Sequence, residues 1–336
     1  MSNRKIEIST TTIFRLILII LGLLFLYLIK DIILMLFFAV IIAAGVEAPV
    51  SWLQRRRVRR IFGVIIVYVA AALIFAGIVY LVIPPLVSQI KALANNLPEI
   101  IDRLGLGVQI AQQKYQELQI GNLLNNLAGK FEGLTSNLFQ TTFNVFGGLF
   151  SGIVIVIISF YLAAQERGIK KFLVSITPKD HQEYVSDLTT RIESKLGAWL
   201  RGMLLLMFII AVLVYLGLSL LGIKYALVLA LLAGLLEIIP YIGPIVAAIP
   251  AIILAFFQSP FLALIVAIVY YAIQQLENYI FVPQVMKKAL GLNPVIIIIA
   301  LLVGFKLAGI LGMIVSVPLA AILSVFLKDI FKSKEE

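Results

Sequence analysis

The sequence predicts an all-α polytopic membrane protein, with about six full transmembrane helices, two inverted re-entrant hairpins and roughly eight apolar segments in all. Of its 336 residues, 62% are hydrophobic and only 13% are charged, and the mean hydropathy is +1.09. Soluble globular chains carry about a quarter charged residues and rarely contain apolar runs of about 20 residues. Such runs recur here throughout the chain, and two of them are broken by glycine and proline at matching places. These features exclude an ordinary soluble domain.

The net charge of +10 is explained by membrane topology, because Lys and Arg cluster in short segments between the apolar runs, as they do in cytoplasmic loops. The chain has no cysteine, and its single histidine, His181, lies among charged residues, so neither a metal centre nor a nucleophile with its base can be assembled. We therefore expect no enzymatic activity, no metal, no cofactor and no nucleic-acid partner.

Residues 1–83 are predicted to form three transmembrane helices. Apolar runs at 13–29 and 32–50 are separated only by Lys30 and Asp31, which indicates a tight helical hairpin. Five arginines at positions 55–60, called the basic run below, place this side in the cytoplasm by the positive-inside rule. The same charges would also serve an anionic-lipid site. The third span, 61–83, is expected to stop at Pro84 and Pro85.

Residues 84–144 are predicted to form an extracytoplasmic helical lobe, since apolar residues recur there at helical spacing while acidic and basic residues balance. Its apolar face could be an internal core or an oligomer contact. A fourth transmembrane helix, 145–165, returns to the cytoplasm. Residues 166–201 then form an amphipathic helix, whose start is marked by Thr177 and Pro178 and which feeds into the fifth span.

The remainder divides into two helix-plus-hairpin repeats, 202–258 and 259–336, the second ending in a cytoplasmic tail. Each repeat contains an apolar block with two arms of about 15 residues, whereas a full crossing needs roughly 20. Each full transmembrane helix carries the chain from one side of the membrane to the other. Counted in this way, the first block begins and ends outside, and the second begins and ends inside. The two hairpins are therefore predicted to enter the membrane from opposite faces, a design associated with secondary transporters.

A shift of 69 positions, the difference between residues 222 and 291, superimposes the two repeats in sequence. It places Gly222 on Gly291, Gly243 on Gly312, and Glu237 on Lys306. Backbone polar groups at a broken hairpin tip must form hydrogen bonds with protein, water or substrate. Such tips are therefore expected to line a polar cavity or a binding site. The alternative is that the small residues only allow close helix packing.

Ionisable and amide residues at membrane depth are functional candidates because burying them is costly. We expect Glu237 and Lys306 to meet as a pair near the midplane, either as a structural clasp or in substrate or proton handling, and we expect Glu47 to pair with the basic run. The amides beside Glu277 could bind a neutral polyhydroxy ligand or only bond between helices. The predicted substrate and coupling residues are Glu237, Pro240, Gly243, Pro244, Gln274, Glu277, Asn278, Lys306, Gly309 and Gly312.

The same segments resemble the autoinducer-2 exporter (AI-2E) family of bacterial permeases across nearly the whole chain. The matching motifs are residues 240–244 (PYIGP), residues 249–251 (IPA), Gln274 with Glu277, Asn278 and Pro283, residues 290–294 (LGLNP), Gly304 through Gly312, and residues 318–320 (PLA). The resemblance implies a multi-pass inner-membrane carrier named for export of autoinducer-2, with some relatives assigned to sodium or lithium exchange for protons.

Together these features predict a secondary transporter that exports a small polar molecule such as autoinducer-2 by alternating access coupled to protons. Glu237 and Glu277 are the expected coupling carboxylates, because burial penalises the charged form of a carboxyl group. The alternatives are a sodium (lithium)/proton antiporter, an uncoupled channel and a membrane scaffold. The expected location is the bacterial inner membrane, with both termini cytoplasmic, and the expected partners are a small-molecule or ion substrate, membrane lipid and further copies of the chain.

Overall fold

The computed structural model describes residues 10–103, 149–166, 168–286 and 291–332, with two isolated positions, 126 and 129. All regular elements in this part of the chain are helical. In order they are α1 (Thr10–Leu28), α2 (Lys30–Arg55), α3 (Arg60–Arg103), α4 (Leu149–Ala164), α5 (Gly168–Ser175), a 3-10 turn (Lys179–His181), α6 (Gln182–Leu220), α7 (Ala226–Leu236), α8 (Ile242–Gln258), α9 (Pro260–Leu276), a π-helical turn (Glu277–Phe281), α10 (Val282–Met286) and α11 (Pro294–Lys332).

Five segments of the described chain are long and apolar enough to cross a bilayer. They are Lys30–Arg55, Arg60–Pro85, Lys179–Leu220, Pro260–Met286 and Pro294–Leu327. Helices α4 and α5 would supply a sixth if they count as one span, although they are bent by 84° to each other. Large apolar side chains cover the outer surface of these helices, as in Phe208 and Phe261. The protein is therefore a multi-pass, all-helical membrane protein.

Helix α3 continues through Pro84 and Pro85, where the sequence predicted the third span to end, and reaches Arg103. Each proline removes one backbone hydrogen-bond donor. The helix nevertheless continues, because apolar residues recur at helical spacing beyond the two prolines. Only the strongly apolar portion ends at Pro85. Most of the predicted lobe, 84–144, lies outside the described residues, so its boundaries stay a prediction.

Helix α6 is the central element of the bundle. It combines the predicted amphipathic segment and the fifth span in one helix, which begins just after Pro178. Six other helices pack against it, namely α2, α5, α7, α9, α10 and α11. The buried side chains of its first half, including Leu196, Trp199 and Met203, belong to one hydrophobic cluster, and those of its second half, including Ile210 and Val214, belong to another. Every functional feature described below touches this helix.

The two repeats share the same backbone plan. Gly222 and Gly291, 69 positions apart, both adopt the left-handed conformation, with φ of 67° and 57°. A Cβ atom added at Gly243 would overlap the Leu236 carbonyl, and one added at Gly312 would overlap the Gly304 carbonyl. Residues eight apart on a straight helix lie about 12 Å apart, so contact between Gly304 and Gly312 means that the chain reverses between them. The internal duplication is thus visible in the backbone.

The reversal in the second repeat occurs within α11, at Ala308 (φ −149°, ψ 27°) and Gly309 (φ 59°, ψ −140°). In the first repeat it occurs between α7 and α8, where Tyr241 has φ of 65°. Both α8 and α11 contain an internal proline, Pro250 and Pro318. The hairpins are therefore real features of the fold, whereas their re-entrant placement in the membrane stays a prediction.

Candidate functional site

Glu237 lies where α7 ends, and its side chain is only 1% exposed. Pro240 cannot donate a backbone hydrogen bond, and the chain turns there instead of continuing the helix. Two backbone bonds close the turn: Ile242 N–H donates to the Pro240 carbonyl over 2.8 Å, and Gly243 N–H donates to the Ile239 carbonyl over 2.9 Å. The turn fixes Glu237 inside the bundle, away from the outer surface.

Glu277 approaches from the opposite side, at the first position of the π-helical turn that interrupts the end of α9. Its side chain is 4% exposed. Gln274, one turn earlier, donates from Nε2 to Oε2 of Glu277 over 3.1 Å. Single π-helical turns inside α-helices occur frequently at functional sites. Both acidic residues therefore occupy interruptions of otherwise regular helices.

The carboxyl groups of Glu237 and Glu277 interact directly, and both line one small cavity, called the carboxylate cavity below. Its volume is about 40 Å³. The other lining residues are Trp199, Met203, Leu206, Pro240, Tyr241, Asn278, Val282, Met286, Ile297 and Val317. Four segments thus meet around the pair: α6, the turn after α7, the region from the π-helical turn to α10, and α11.

Oxygen Oε2 of Glu237 is buried without a hydrogen-bond partner among the described residues. A buried polar atom left unpaired costs about 1–3 kcal/mol, and two buried carboxylates cannot both carry charge at close range. A proton shared between the two carboxyl groups, or a small cation between them, would resolve both problems. The arrangement can therefore hold and release a proton or a small cation.

The structure brings together several of the predicted site residues. Glu237, Pro240, Glu277 and Asn278 all line the carboxylate cavity, and Gln274 bonds to Glu277. The amides of 274 and 278 therefore lie at the acidic pair, as the sequence placed them beside Glu277.

Gly243 and Pro244 contribute differently, since both belong to the first turn of α8. Gly243 allows α8 to approach the Leu236 backbone at the end of α7. These two residues shape the turn that carries Glu237, and neither lines the carboxylate cavity.

The second hairpin does not bring its predicted residues to this cavity. Lys306 is exposed, and the described residues show no ion pair between it and Glu237, so the predicted contact is not formed. Gly309 supplies the left-handed turn and Gly312 the close contact with Gly304. The tip at Ala308 and Gly309 does not line the carboxylate cavity, which α11 reaches instead through Ile297 and Val317.

Glu47 forms the predicted ion pair with the basic run. Arg60 donates from Nη2 to Oε2 of Glu47 over 2.6 Å and from Nη1 to Oε1 over 3.1 Å. The Arg60 Nε–H also donates to the Ala163 carbonyl over 2.9 Å. The ion pair joins α2 to the start of α3, and the bond to Ala163 ties both to the end of α4; the pair lies outside the carboxylate cavity.

Sequence reasoning missed the apolar cavity walls on α6, especially Trp199, Met203 and Leu206. Nothing in an apolar helix distinguishes a residue that faces a cavity from one that faces a neighbouring helix. The one local signal for a cavity wall was Trp199 itself, a large aromatic residue on a helix whose other residues nearby are mostly aliphatic or charged. Tyr241 was also missed as a lining residue, although it belongs to the PYIGP motif.

Comparison with known proteins agrees with this architecture. The family described as AI-2E family transporter matches residues 16–332. YrrI of Bacillus subtilis (strain 168) is 29% identical over 317 residues, which is 92% of this chain and 89% of YrrI. YueF of the same organism is 28% identical over 313 residues, 88% of this chain and 85% of YueF.

A more distant relative, sll0063 of Synechocystis sp. (strain ATCC 27184 / PCC 6803 / Kazusa), is 27% identical over 300 residues, 85% of this chain and 74% of its own. All three relatives are provisionally named transport proteins. With a family match over nearly its whole length, the chain belongs to the AI-2E family of transporters.

Proposed function

We propose that this protein is a proton-coupled secondary transporter in which Glu237 and Glu277 bind and release the coupling proton. The observation that carries the proposal is the contact between two carboxyl groups that are 1% and 4% exposed, inside one enclosed cavity. A structural ion pair would join opposite charges, whereas two acids buried together require a proton or a cation. A carrier that alternates between two faces needs a group with that property.

The backbone around the pair supports the same role. The turn after α7 and the π-helical turn each interrupt regular helical bonding beside a carboxyl group. Such interruptions are tolerated at membrane depth where they line a cavity or bind an ion. They also form natural hinges, because unwound segments absorb changes in backbone angle with little loss of hydrogen bonding. Movement of a hairpin unit at these points would expose the pair first to one side and then to the other.

The size of the cavity favours a monovalent cation as the exchanged substrate. A water molecule needs about 10–15 Å³ of the same kind of volume, so about 40 Å³ holds a few waters or one ion. Sodium (lithium)/proton antiport through the carboxyl pair fits this space without rearrangement. Carboxylate and amide oxygens are also suitable ligands for hard cations.

Export of a small polar molecule such as autoinducer-2 is the second candidate. The amides of Gln274 and Asn278 favour it, because an amide both donates and accepts and thus suits polyhydroxy ligands. The cavity would have to enlarge severalfold during the transport cycle. We place the protein in the bacterial inner membrane with both termini cytoplasmic, following the basic run, and expect it to assemble as a homo-oligomer.

The deciding experiment is flux in proteoliposomes with an imposed proton gradient, assayed for sodium, lithium and autoinducer-2. The variants are Glu237→Gln, Glu277→Gln and the control Glu183→Gln, which neutralises an exposed carboxylate at the start of α6. The proposal expects gradient-driven flux that both site variants abolish and the control retains. Cation flux alone would select the antiporter, and autoinducer-2 flux alone the exporter.

Two outcomes would contradict the proposal. Flux that ignores the proton gradient, and survives both site variants, would indicate a channel. No flux of any substrate by a correctly folded protein, together with no proton uptake or release on adding sodium or lithium, would favour a scaffold.

A further inference from the structure

A second and larger cavity lies between α2, α4, α5 and α6, at the end of the bundle that carries the basic run. Its volume is about 330 Å³. Its walls include Glu47 and Ala48 from α2, Arg60 from α3, and Ser194 and Arg201 from α6. Ser194 and Arg201 are seven positions apart and share one face of α6, whereas Trp199 and Met203 line the carboxylate cavity. Helix α6 therefore separates two cavities of different chemistry.

We propose that this larger cavity, the basic-end cavity, binds the phosphate group of a membrane phospholipid, with Arg201 as its main contact. Arg201 lines the cavity and forms no hydrogen bond or ion pair within the described part of the chain. A guanidinium carries five donors in a planar fork that suits phosphate oxygens. Arg201 is exposed, so these donors are open to an anion that enters the cavity.

The position of Arg201 is fixed by a glycine one turn earlier. Long side chains on a helix point towards its N-terminus, and Arg201 accordingly lies over Gly197. A Cβ atom added at Gly197 would be 3.1 Å from Nη1 of Arg201 and 2.8 Å from the Ala44 carbonyl oxygen. Any other residue at 197 would push the guanidinium away from α2. Gly197 thus makes room both for the close approach of α2 and for the guanidinium at the cavity.

The other arginine of the cavity is already neutralised by Glu47, and Glu193, the second acid on the wall, also has a partner, which leaves Arg201 as the anion contact. Arg60 is 12% exposed and is held by Glu47, by the Ala163 carbonyl and, at 3.4 Å, by Gln54. At the rim, Lys170 donates to Oγ1 of Thr190 over 2.9 Å, so a further cation is held nearby. The hydroxyl of Ser194 adds a neutral donor on the same face as Arg201.

Two neighbouring features place the cavity at the level of lipid headgroups. Helix α5 bends 84° from α4, and Phe172 within it and Ile176 directly after it are 63% and 64% exposed, as expected of a segment that lies on a membrane surface. Trp52, stacked under Arg56 at 4.3 Å, has the amphipathic character that anchors residues at the interface. Glu47 lies five residues before Trp52, about 7.5 Å along the helix. A phosphate in the cavity would therefore sit just inside the interface.

The test is native mass spectrometry of the full chain purified in detergent. The ligands are phosphatidylglycerol, diacylglycerol with the same acyl chains, and glycerol 3-phosphate. We expect one phosphatidylglycerol to bind more tightly than the rest, diacylglycerol not to compete for its site, and glycerol 3-phosphate to bind weakly. Arg201→Gln should lower the affinity for that lipid about tenfold, the size expected when a charge-assisted hydrogen bond is lost.

The matched control is Arg55→Gln, which removes an exposed arginine at the same end of the bundle but outside the cavity. It should bind the lipid as the unmodified chain does. An independent variant, Ala48→Phe, changes an exposed wall residue and should fill the cavity while leaving Arg201 intact. It should also weaken binding, even if Arg201→Gln fails to fold.

Three results would overturn the proposal. Equal losses in Arg55→Gln and Arg201→Gln would mean diffuse attraction to anionic lipid without a site. Unchanged binding in both Arg201→Gln and Ala48→Phe would place the lipid elsewhere. Glycerol 3-phosphate binding as tightly as the lipid would show that the ligand is a soluble phosphate ester.

Discussion

The two half-repeats have the same backbone breaks but opposite surroundings. Gly222 and Gly291 adopt the same left-handed turn, and Gly243 and Gly312 make the same close backbone contact. Yet Glu237 is buried in the bundle, while its symmetry mate Lys306 is exposed on the outer surface. The two hairpins thus share their backbone geometry, but only the first carries a buried acid at its turn.

Packing explains the difference. The first hairpin lies between α6 and α9, and its small residues Ala230, Ala233, Ala247 and Ala251 are almost fully buried. The first arm of the second hairpin exposes a row of large apolar side chains, including Val295, Ile299, Leu302 and Phe305. The first hairpin is a component of the core. The second, called the peripheral arm below, exposes its first half and buries only its second, through residues such as Val315 and Val317. A buried acid can be stabilised only in the first setting.

The largest expected effect is a difference in transport between variants of Glu237 and of Lys306, which the 69-residue shift superimposes. Glu237→Gln removes a group that takes up and gives up protons, and loss of such a group costs about a hundredfold or more. Lys306→Gln changes an exposed residue and should keep gradient-driven flux within about twofold, the range of a surface substitution. Parallel flux assays in proteoliposomes check both. Equal losses would mean that the tip of the second hairpin also takes part in coupling.

The next effect should be the same in both halves. Gly243→Ala and Gly312→Ala each force a Cβ atom into a backbone carbonyl, and overpacking of this kind costs about 1–3 kcal/mol. Gly77→Ala is the control, because a Cβ atom there meets nothing within 4 Å. Unfolding followed in detergent measures all three. A loss confined to one hairpin would show that the two contacts are not equivalent.

A smaller effect should reveal how the peripheral arm is anchored. Arg191 of α6 bonds to both carboxylate oxygens of Asp329 in α11, over 2.9 and 2.7 Å, and Tyr184 donates to the same carboxylate over 3.2 Å. The partners are 39% and 21% exposed, so solvent screens the pair and Asp329→Asn should cost about 1 kcal/mol.

Asp187, 64% exposed and also paired with Arg191, provides the control. Asp187→Asn should change stability by less than about 0.5 kcal/mol, as for other exposed pairs on one helix. Hydrogen exchange in residues 294–332 should rise for Asp329→Asn only. No difference between the two variants would mean that the Asp329 contact does not hold the arm.

The smallest effect concerns backbone conformation alone. At Gly222 and Gly291 nothing lies within 4 Å of an added Cβ atom, so alanine meets no steric obstacle there. The left-handed conformation still costs an L-residue roughly 1–2 kcal/mol. Alanine also reduces the conformational entropy of the unfolded chain, which stabilises the folded state by about 0.4–1 kcal/mol and offsets part of that cost. Each variant should therefore lower the free energy of unfolding by about 1 kcal/mol or less. Unequal values would indicate that the two turns differ.

The sequence by itself determined the membrane class, the helical content and the positions where helices break. Apolar runs have no stable state in water other than burial in lipid or protein, and Gly and Pro restrict the backbone wherever they occur, so both signals are local. The 69-residue shift could be found for the same reason, since it depends on the residues that set backbone geometry. The choice of Glu237 and Glu277 as candidate residues also followed from sequence, because an acid in an apolar segment is costly wherever it lies.

Only the tertiary structure decided which of these residues meet. Sequence symmetry paired Glu237 with Lys306, but the packing of α7 against α6 and of α8 against α9 paired it with Glu277 instead. The continuation of α3 through Pro84 and Pro85, the apolar cavity walls on α6 and the placement of Arg201 over Gly197 likewise depended on neighbours. Contacts between residues distant in sequence arise from how helices pack, and helix packing depends on the shapes of both surfaces, which no single segment contains.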